Sequence, residues 1–276
     1  MKNKLLTITL AALSIVLAGS CQKDDADNGS SQVLPRGALP GEFSVSATKK
    51  VHFSKGNLYY DDGEFMSEER FKLEENQYDY PEIWSDTHVG HFYWSKNDGI
   101  ARAKYYDDSG ASSGDVFFTN LRPFVMSLGS ARTLSWREWE YLIDGRKNAS
   151  NKYGYATVQN VPGIILLPDN FNDPMKNNGS GAFVPKSSTG WEQNVYIGPD
   201  WSAMESAGAV FLPAAGCRNI DCVHEVNDRG IYWSSSAANV GRAWYMEFSS
   251  YSVSFHEDTQ ELSHVGRTVR LVTDAN

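Results

Sequence analysis

The sequence predicts an α+β domain, with two helices, many short strands and long loops between them. Three observations carry that expectation. Apolar residues alternate with polar ones in many short runs bounded by Gly, Ser and Asn, the pattern of half-buried strands. Helical spacing with a proper start signal occurs in "TLSWREWEYLIDGR" and again in "DWSAMESAGA". Aromatic residues make up 13% of the chain, and many stand in phase with aliphatic strand positions, which assigns them to the core.

The elements follow in order. In "FSVSATKKVHFSKGNLYY", Phe43 and Val45, then Val51 and Phe53, each share one face of a short strand. "SKGN" reads as a turn before "LYY", so a β-hairpin opens the domain. Asp61 to Gly114 is irregular and rich in Tyr, Asp and Gly. It contains a formal G-x-S-x-G, Gly110 to Gly114, without the buried strand and helix a nucleophile elbow needs, so the match is read as chance. In the first helix Ser135 and Glu138 form a capping box, and Gly145 suits its stop. Trp136, Trp139, Leu142 and Ile143 share its apolar face and are assigned to the core rather than to a sugar platform. Ile164 to Leu167 is a buried strand, and Asp169 to Asp200 a long Asn-, Gly-, Pro- and Ser-rich loop of the kind that often carries function. Asp200 caps the second helix, Trp201, Met204 and Ala207 pack, and Gly208 ends it. "VFLPAAG" is a further buried strand. The remainder reads as an antiparallel meander with one apolar face per strand: Ile231 and Trp233; Trp244, Met246 and Phe248; Val253 and Phe255; Val269 and Leu271.

The N-terminus supplies an address. Lys2 and Lys4, an apolar run from Leu5 to Leu17, and "AGSC" ending at Cys21 describe a secretory signal. Small residues ahead of a cysteine resemble a bacterial lipobox, with Ala18 where Leu is usual, so lipidation is expected at Cys21. The polar, acidic stretch after it reads as a tether. Its Lys and two Asp directly after the cysteine resemble the export signal of surface lipoproteins in Bacteroides-like bacteria. The expected organisation is a signal peptide over 1–20, a tether over 21–40 and one domain over 41–276, held on the outer membrane and facing the cell exterior.

Charge narrows the partners. Lys and Arg number 25 against 34 Asp and Glu. Without Lys2 and Lys4 the balance is 23 against 34, a mature charge of −11. That disfavours nucleic acid and docking on anionic lipid, leaving the lipid anchor as the membrane contact. Beyond Cys21 only Cys217 and Cys222 remain, and in an oxidising compartment the pair reads as a local disulfide, stabilising by roughly 2 kcal/mol.

"LSWREWEYL", "GIILLPDN", "WSAMESAGAVFLPAAGCRN", "GIYWSSS", "AWYMEF" and "GRTVRLV" stand in the order seen in the Fibrobacter succinogenes major paralogous domain family, and the chain resembles that family from about Gly41 to Val272. The resemblance implies a C-type lectin-like fold, two helices packed on small, twisted antiparallel sheets with long loops, on the scaffold shared with formylglycine-generating enzymes; it supplies no defined reaction. Those enzymes use a cysteine pair with copper near the C-terminal end. Here Cys217 and Cys222 precede "YWSSS", the last strands carry no cysteine, and Asp221, Glu225 and Asp228 surround the pair. Thiolate activation wants the opposite charge.

Metal signals are weak. His256, Glu257 and His264 lack zincin spacing, and His224, Glu225 and Asp228 read as exposed loop residues. Asp169, Asn170, Asn172 and Asp173 are oxygen donors of the type calcium takes, without EF-hand spacing and without the Glu-Pro-Asn motif of calcium-dependent lectins. No cofactor is expected, with calcium the one candidate. The expected function is a surface-displayed, non-catalytic binding or adhesion module for a glycan or protein. A structural role in a surface assembly and an extracytoplasmic enzyme are the alternatives. The expected binding face joins the two loop regions: Asp169, Asn172, Asp173 and Trp191 from one, Arg218 and Asp228 from the other. Trp191, in the polar "STGWEQN", is the expected ligand contact, and Trp233 and Trp244 the expected core.

Overall fold

A computed structural model describes residues 34, 37–61, 71–83, 85, 87–94, 131–177, 181–186, 190–219, 222–238, 242–258 and 265–275. Cys21, Asp221, His264 and the Gly110–Gly114 segment lie outside them. Leu34–Asn276 form one compact unit. In chain order the strands are β1 Phe43–Ser44, β2 Lys50–Asp61, β3 Phe71–Leu73, β4 His88–Val89, β5 His91–Phe92, β6 Tyr153–Val158, β7 Val161–Leu166 and β8 Val195–Tyr196. They continue as β9 Val210–Pro213, β10 Cys217–Asn219, β11 Cys222–His224, β12 Gly230–Ala237, β13 Ala243–Phe248, β14 Val253–Glu257, β15 Val265–Thr268 and β16 Arg270–Asp274. Among the described residues two short α-helices, α1 Trp136–Glu140 and α2 Pro199–Ser206, complete a mixed α+β fold that is mostly sheet.

Three sheets result. The first runs β1-β2-β16, with β3 and β4 also on β2; the second runs β11-β10-β15-β12-β13-β14, with β5 on β15; the third is β8-β6-β7-β9. Pairing is antiparallel except β12 with β15 and β6 with β8. The sheets enclose three apolar clusters. Phe43, Phe53, Trp139, Tyr155, Leu212 and Phe248 belong to the first; Leu58, Phe71, Trp94, Trp233 and Leu271 to the second; Ile165, Trp201, Met204 and Phe211 to the third. β7 shows how they are served. Ile164 and Leu166 enter the first cluster and Ile165 the third, so the strand is apolar on both faces and reads as an unbroken run.

Much of the local reading holds. Ser135 Oγ accepts from the Glu138 N–H, and the Glu138 carboxylate accepts from the Ser135 N–H, closing the capping box. Arg132 forks both oxygens of Glu138 and reaches Asp274, tying the helix start to the chain end. After Glu140 the helix widens into a π-turn, Tyr141–Gly145.

Several expectations are corrected. "SKGN" is not a turn: β2 runs through it, with Leu39 N–H donating to the Phe53 carbonyl and Lys55 N–H to that of Gly37. Gly56 is there for close approach, since a Cβ would collide with the Glu74 carbonyl oxygen. These bonds join Gly37 and Leu39 to β2. The meander holds for β12, β13 and β14, but both faces of β12 are covered: Tyr232, Trp233 and Ser234 are all fully buried. The last apolar run is two strands, because the chain changes sheets at Val269, whose carbonyl accepts from Leu58 N–H. Gly198, not Asp200, occupies the N-cap of α2, followed by Pro199 at the first helical position.

Trp136 is half-buried, not core. Its ring stacks on Trp244 at 4.5 Å, and the Arg137 guanidinium lies 4.2 Å from its centre. Two groups that close must take opposite faces, so no sugar platform remains on Trp136. Trp244 is likewise half-buried rather than core, spent on pinning α1 to β13.

Candidate functional site

Several residues of the expected binding face are spent on holding the fold. The Asp169 carboxylate accepts from the N–H and hydroxyl of Ser44 and from Arg146. Arg146 is buried, lowered to about 10 by burial, and donates to the carbonyls of Leu142, Leu167 and Lys152. Asp173 accepts from the N–H groups of Met175 and Phe183, closing its own loop. Asn172 is exposed. Among the described residues no group of three or more His, Cys, Asp or Glu side chains converges on a possible metal position.

Trp191 is an anchor, not a free loop aromatic. It packs edge-on to Tyr155 and Phe248, at 5.9 and 6.3 Å, against the first cluster. The segment around it is equally committed. Asn194 is buried, donates to the carbonyls of Tyr155 and Val184, and accepts from Val184 N–H. A polar sequence here reflects backbone that needs side-chain partners rather than a surface that needs a ligand.

The other half fares no better. Arg218 is almost fully buried, its guanidinium 4.5 Å from the Tyr93 ring centre, and burial lowers its pKa. Asp228 is exposed beside Arg229. Cys217 lies opposite His224 and Cys222 opposite Asn219. The two cysteines are therefore diagonal neighbours on one face, a spacing of about 7–8 Å between Cα atoms, beyond the reach of an unstrained disulfide. The expected bond between them is not formed. Burial, then the Glu225 carboxylate, push the Cys217 thiol up to about 11. At neutral pH the thiol stays protonated, with Glu225 Oε2 4.0 Å from its sulfur.

A different site is built by the segment that follows β3. Gln77 is fully buried and pins it. Its Oε1 accepts from Phe211 N–H and from Arg270, both at 2.8 Å. Its Nε2 donates to Glu205 and to the Ala209 carbonyl. Every hydrogen-bonding position of the amide is used, across β9, β16 and the end of α2. Arg270 is lowered to about 10 by complete burial and holds Gln77 from below. The Asp79 carboxylate accepts from the N–H and amide of Asn76, shaping a tight turn.

Beyond that turn the chain opens a cleft of about 470 Å³. Tyr78, Tyr80, Pro81, Ile83 and Val161 form its apolar wall; Glu74, Asp79, Glu82, Ser85 and His88 supply its polar groups. Pro81 seats against Gly90, where a Cβ would come within 2.6 Å of the proline ring. Tyr80 donates to Asn227 at 2.7 Å, and burial raises it to about 12. Glu74 is buried beneath, 2.6 Å from His88 Nε2, which raises the His88 pKa above the ordinary value. The His88 ring stacks on Tyr59 at 4.2 Å. Ser85 Oγ accepts from the backbone N–H groups of Thr87 and His88, and among the described residues no nucleophile is hydrogen-bonded to the His–carboxylate pair.

None of these residues was singled out from the sequence, where Asp61 to Gly114 reads as irregular. "GNLYY" and "THVG" carry a faint signal in the period-two placement of Tyr60 and Val89. Nothing local announces that Glu74 and His88 meet. No protein family, curated protein or solved structure matches the chain.

Proposed function

We propose that this protein is a surface-displayed, lipid-anchored binding or adhesion module without catalytic activity, and that the cleft between Glu74 and His88 is its recognition site. The carrying observation is the cleft itself: an aromatic and aliphatic wall with a few oriented polar groups, held by a fully bonded buried glutamine. Such a rigid concave surface suits recognition without movement. The raised Cys217 thiol, and the lack among the described residues of a nucleophile bonded to His88, favour binding over chemistry. The C-type lectin-like scaffold belongs to the same proposal. It is supported by the order of the shared motifs, the two short helices and the small antiparallel sheets. So does the outer-membrane address, supported by "AGSC" and Cys21.

The test is a screen of the full chain, in detergent, on glycan and peptide arrays, beside Tyr80→Ala. Ligands that bind the parent and lose most of their signal with Tyr80→Ala support the proposal. Ligands held equally by both proteins put the site elsewhere.

A further inference from the structure

We infer that the Glu74–His88 cleft docks a basic polypeptide segment, one in which lysine or arginine side chains flank an apolar residue. This rests on the reading of that cleft as the recognition site. The argument starts from what the polar groups can offer. Glu74, Asp79 and Glu82 are carboxylates, which only accept. The one ring nitrogen of His88 with a partner in the cleft is committed to Glu74. Tyr80 spends its proton on Asn227. Ser85 Oγ receives two backbone N–H groups and lies 3.2 Å from Thr87 Oγ1, which can take its proton. Apart from the Tyr78 hydroxyl, the described lining offers mainly acceptors. A sugar hydroxyl both donates and accepts, and would find few donors there. Ammonium and guanidinium groups donate only, and match.

Charge points the same way. Among the described residues no Lys or Arg lines the cleft. Lys72 is engaged with Asp61 at 2.8 Å, and Arg229 with Glu247 at 2.7 Å. Glu82 has no cationic partner among the described residues, and the whole chain carries −9. An anionic ligand would meet the Asp79 and Glu82 carboxylates, with Glu74 already paired to His88. The apolar half of the match is Ile83. It is 77% exposed, more than any other large apolar side chain described, and stands at the rim beside Pro81 and Tyr78. An apolar side chain left in water at the edge of a concave wall is the kind a partner's apolar residue covers.

The experiment is fluorescence anisotropy on the full chain in detergent. The labelled probes are heptapeptides of Gly and Ser around a central Lys-Leu-Lys, Lys-Ser-Lys or Glu-Leu-Glu, with neutral and amino-bearing oligosaccharides as competitors. The variants are Ile83→Ser and Glu82→Lys, both at exposed positions, so the fold is expected to stand. Lys-Leu-Lys should bind at least about tenfold tighter than Glu-Leu-Glu, and tighter than Lys-Ser-Lys. Glu82→Lys should weaken it several-fold and flatten its salt dependence; Ile83→Ser should remove the advantage of Leu over Ser. Equal binding of Lys-Leu-Lys and Glu-Leu-Glu overturns the proposal, as does binding indifferent to both substitutions. An oligosaccharide that binds in place of the peptides and is weakened by Ile83→Ser overturns the ligand class while the cleft remains the recognition site. Array ligands that ignore Ile83→Ser, Glu82→Lys and Tyr80→Ala alike overturn both.

Discussion

His91 is a buried histidine whose protonation the fold resists, and acid should expose that cost. It is 2% exposed, and its Nε2 lies 2.8 Å from the Ala215 carbonyl, the geometry of a donated N–H. Nδ1 is then the site to be protonated. Burial, aided by the nearby Arg218 guanidinium, lowers the pKa from 6.5 to about 4. The unfolded chain therefore binds a proton near pH 6.5 that the native state refuses until about pH 4. Where the unfolded state holds more protons, stability rises with pH, so it must fall as the pH drops through this window. A gap of about 2.5 pH units at about 1.4 kcal/mol each makes about 3 kcal/mol by pH 4, and about 2 kcal/mol by pH 5. That is a large part of the 5–15 kcal/mol of a typical domain, to order of magnitude. His88 runs the other way. Its raised value gives stability fully present below 6.5 and lost as the pH rises through the folded value. The comparison must therefore be made against a variant that changes His91 alone. His91→Gln keeps a donor for the Ala215 carbonyl and cannot titrate. Urea melts of both proteins at pH 7.5, 6 and 5 give the difference directly. The parent should lose about 2 kcal/mol relative to His91→Gln between pH 7.5 and 5. A difference that stays flat over that range would refute the reasoning, because His91 would then be hydrated enough to titrate normally.

Trp191→Ala should cost about 2–3 kcal/mol in a denaturant melt, because the indole fills space between Tyr155 and Phe248. Trp244→Ala, which unstacks Trp136 at a half-buried position, should cost less, about 1–2 kcal/mol, and the reverse order would contradict both placements. Gly56→Ala should destabilise by about 1–3 kcal/mol and displace Glu74, read as a downward shift of the His88 titration by NMR. Cys217 should alkylate slowly at pH 8 and bind no copper; rapid alkylation there would mean that its thiol is not held protonated.

The sequence by itself determined what depends on neighbours along the chain. Ser135 and Glu138 cap a helix because they lie three residues apart. Val210 to Pro213 reads as buried because the run is apolar. Trp233 falls in the core because it shares a period of two with Ile231. The tertiary structure decided what depends on residues far apart. β2 continues through "SKGN" because Gly37 and Leu39 bond to its far edge. Val269 splits one apolar run into two strands because its carbonyl is claimed by Leu58 of another sheet. Trp136 reads as core from its helical face and Trp191 as a ligand contact from its polar loop, and only the surfaces that close over them made Trp191 an anchor and Trp136 a half-buried stacking partner. The cleft is the extreme case. Its rigidity comes from Gln77, whose partners Glu205, Phe211 and Arg270 are 128, 134 and 193 residues away. A local pattern records which face of an element turns inward, but not which distant groups will meet it there.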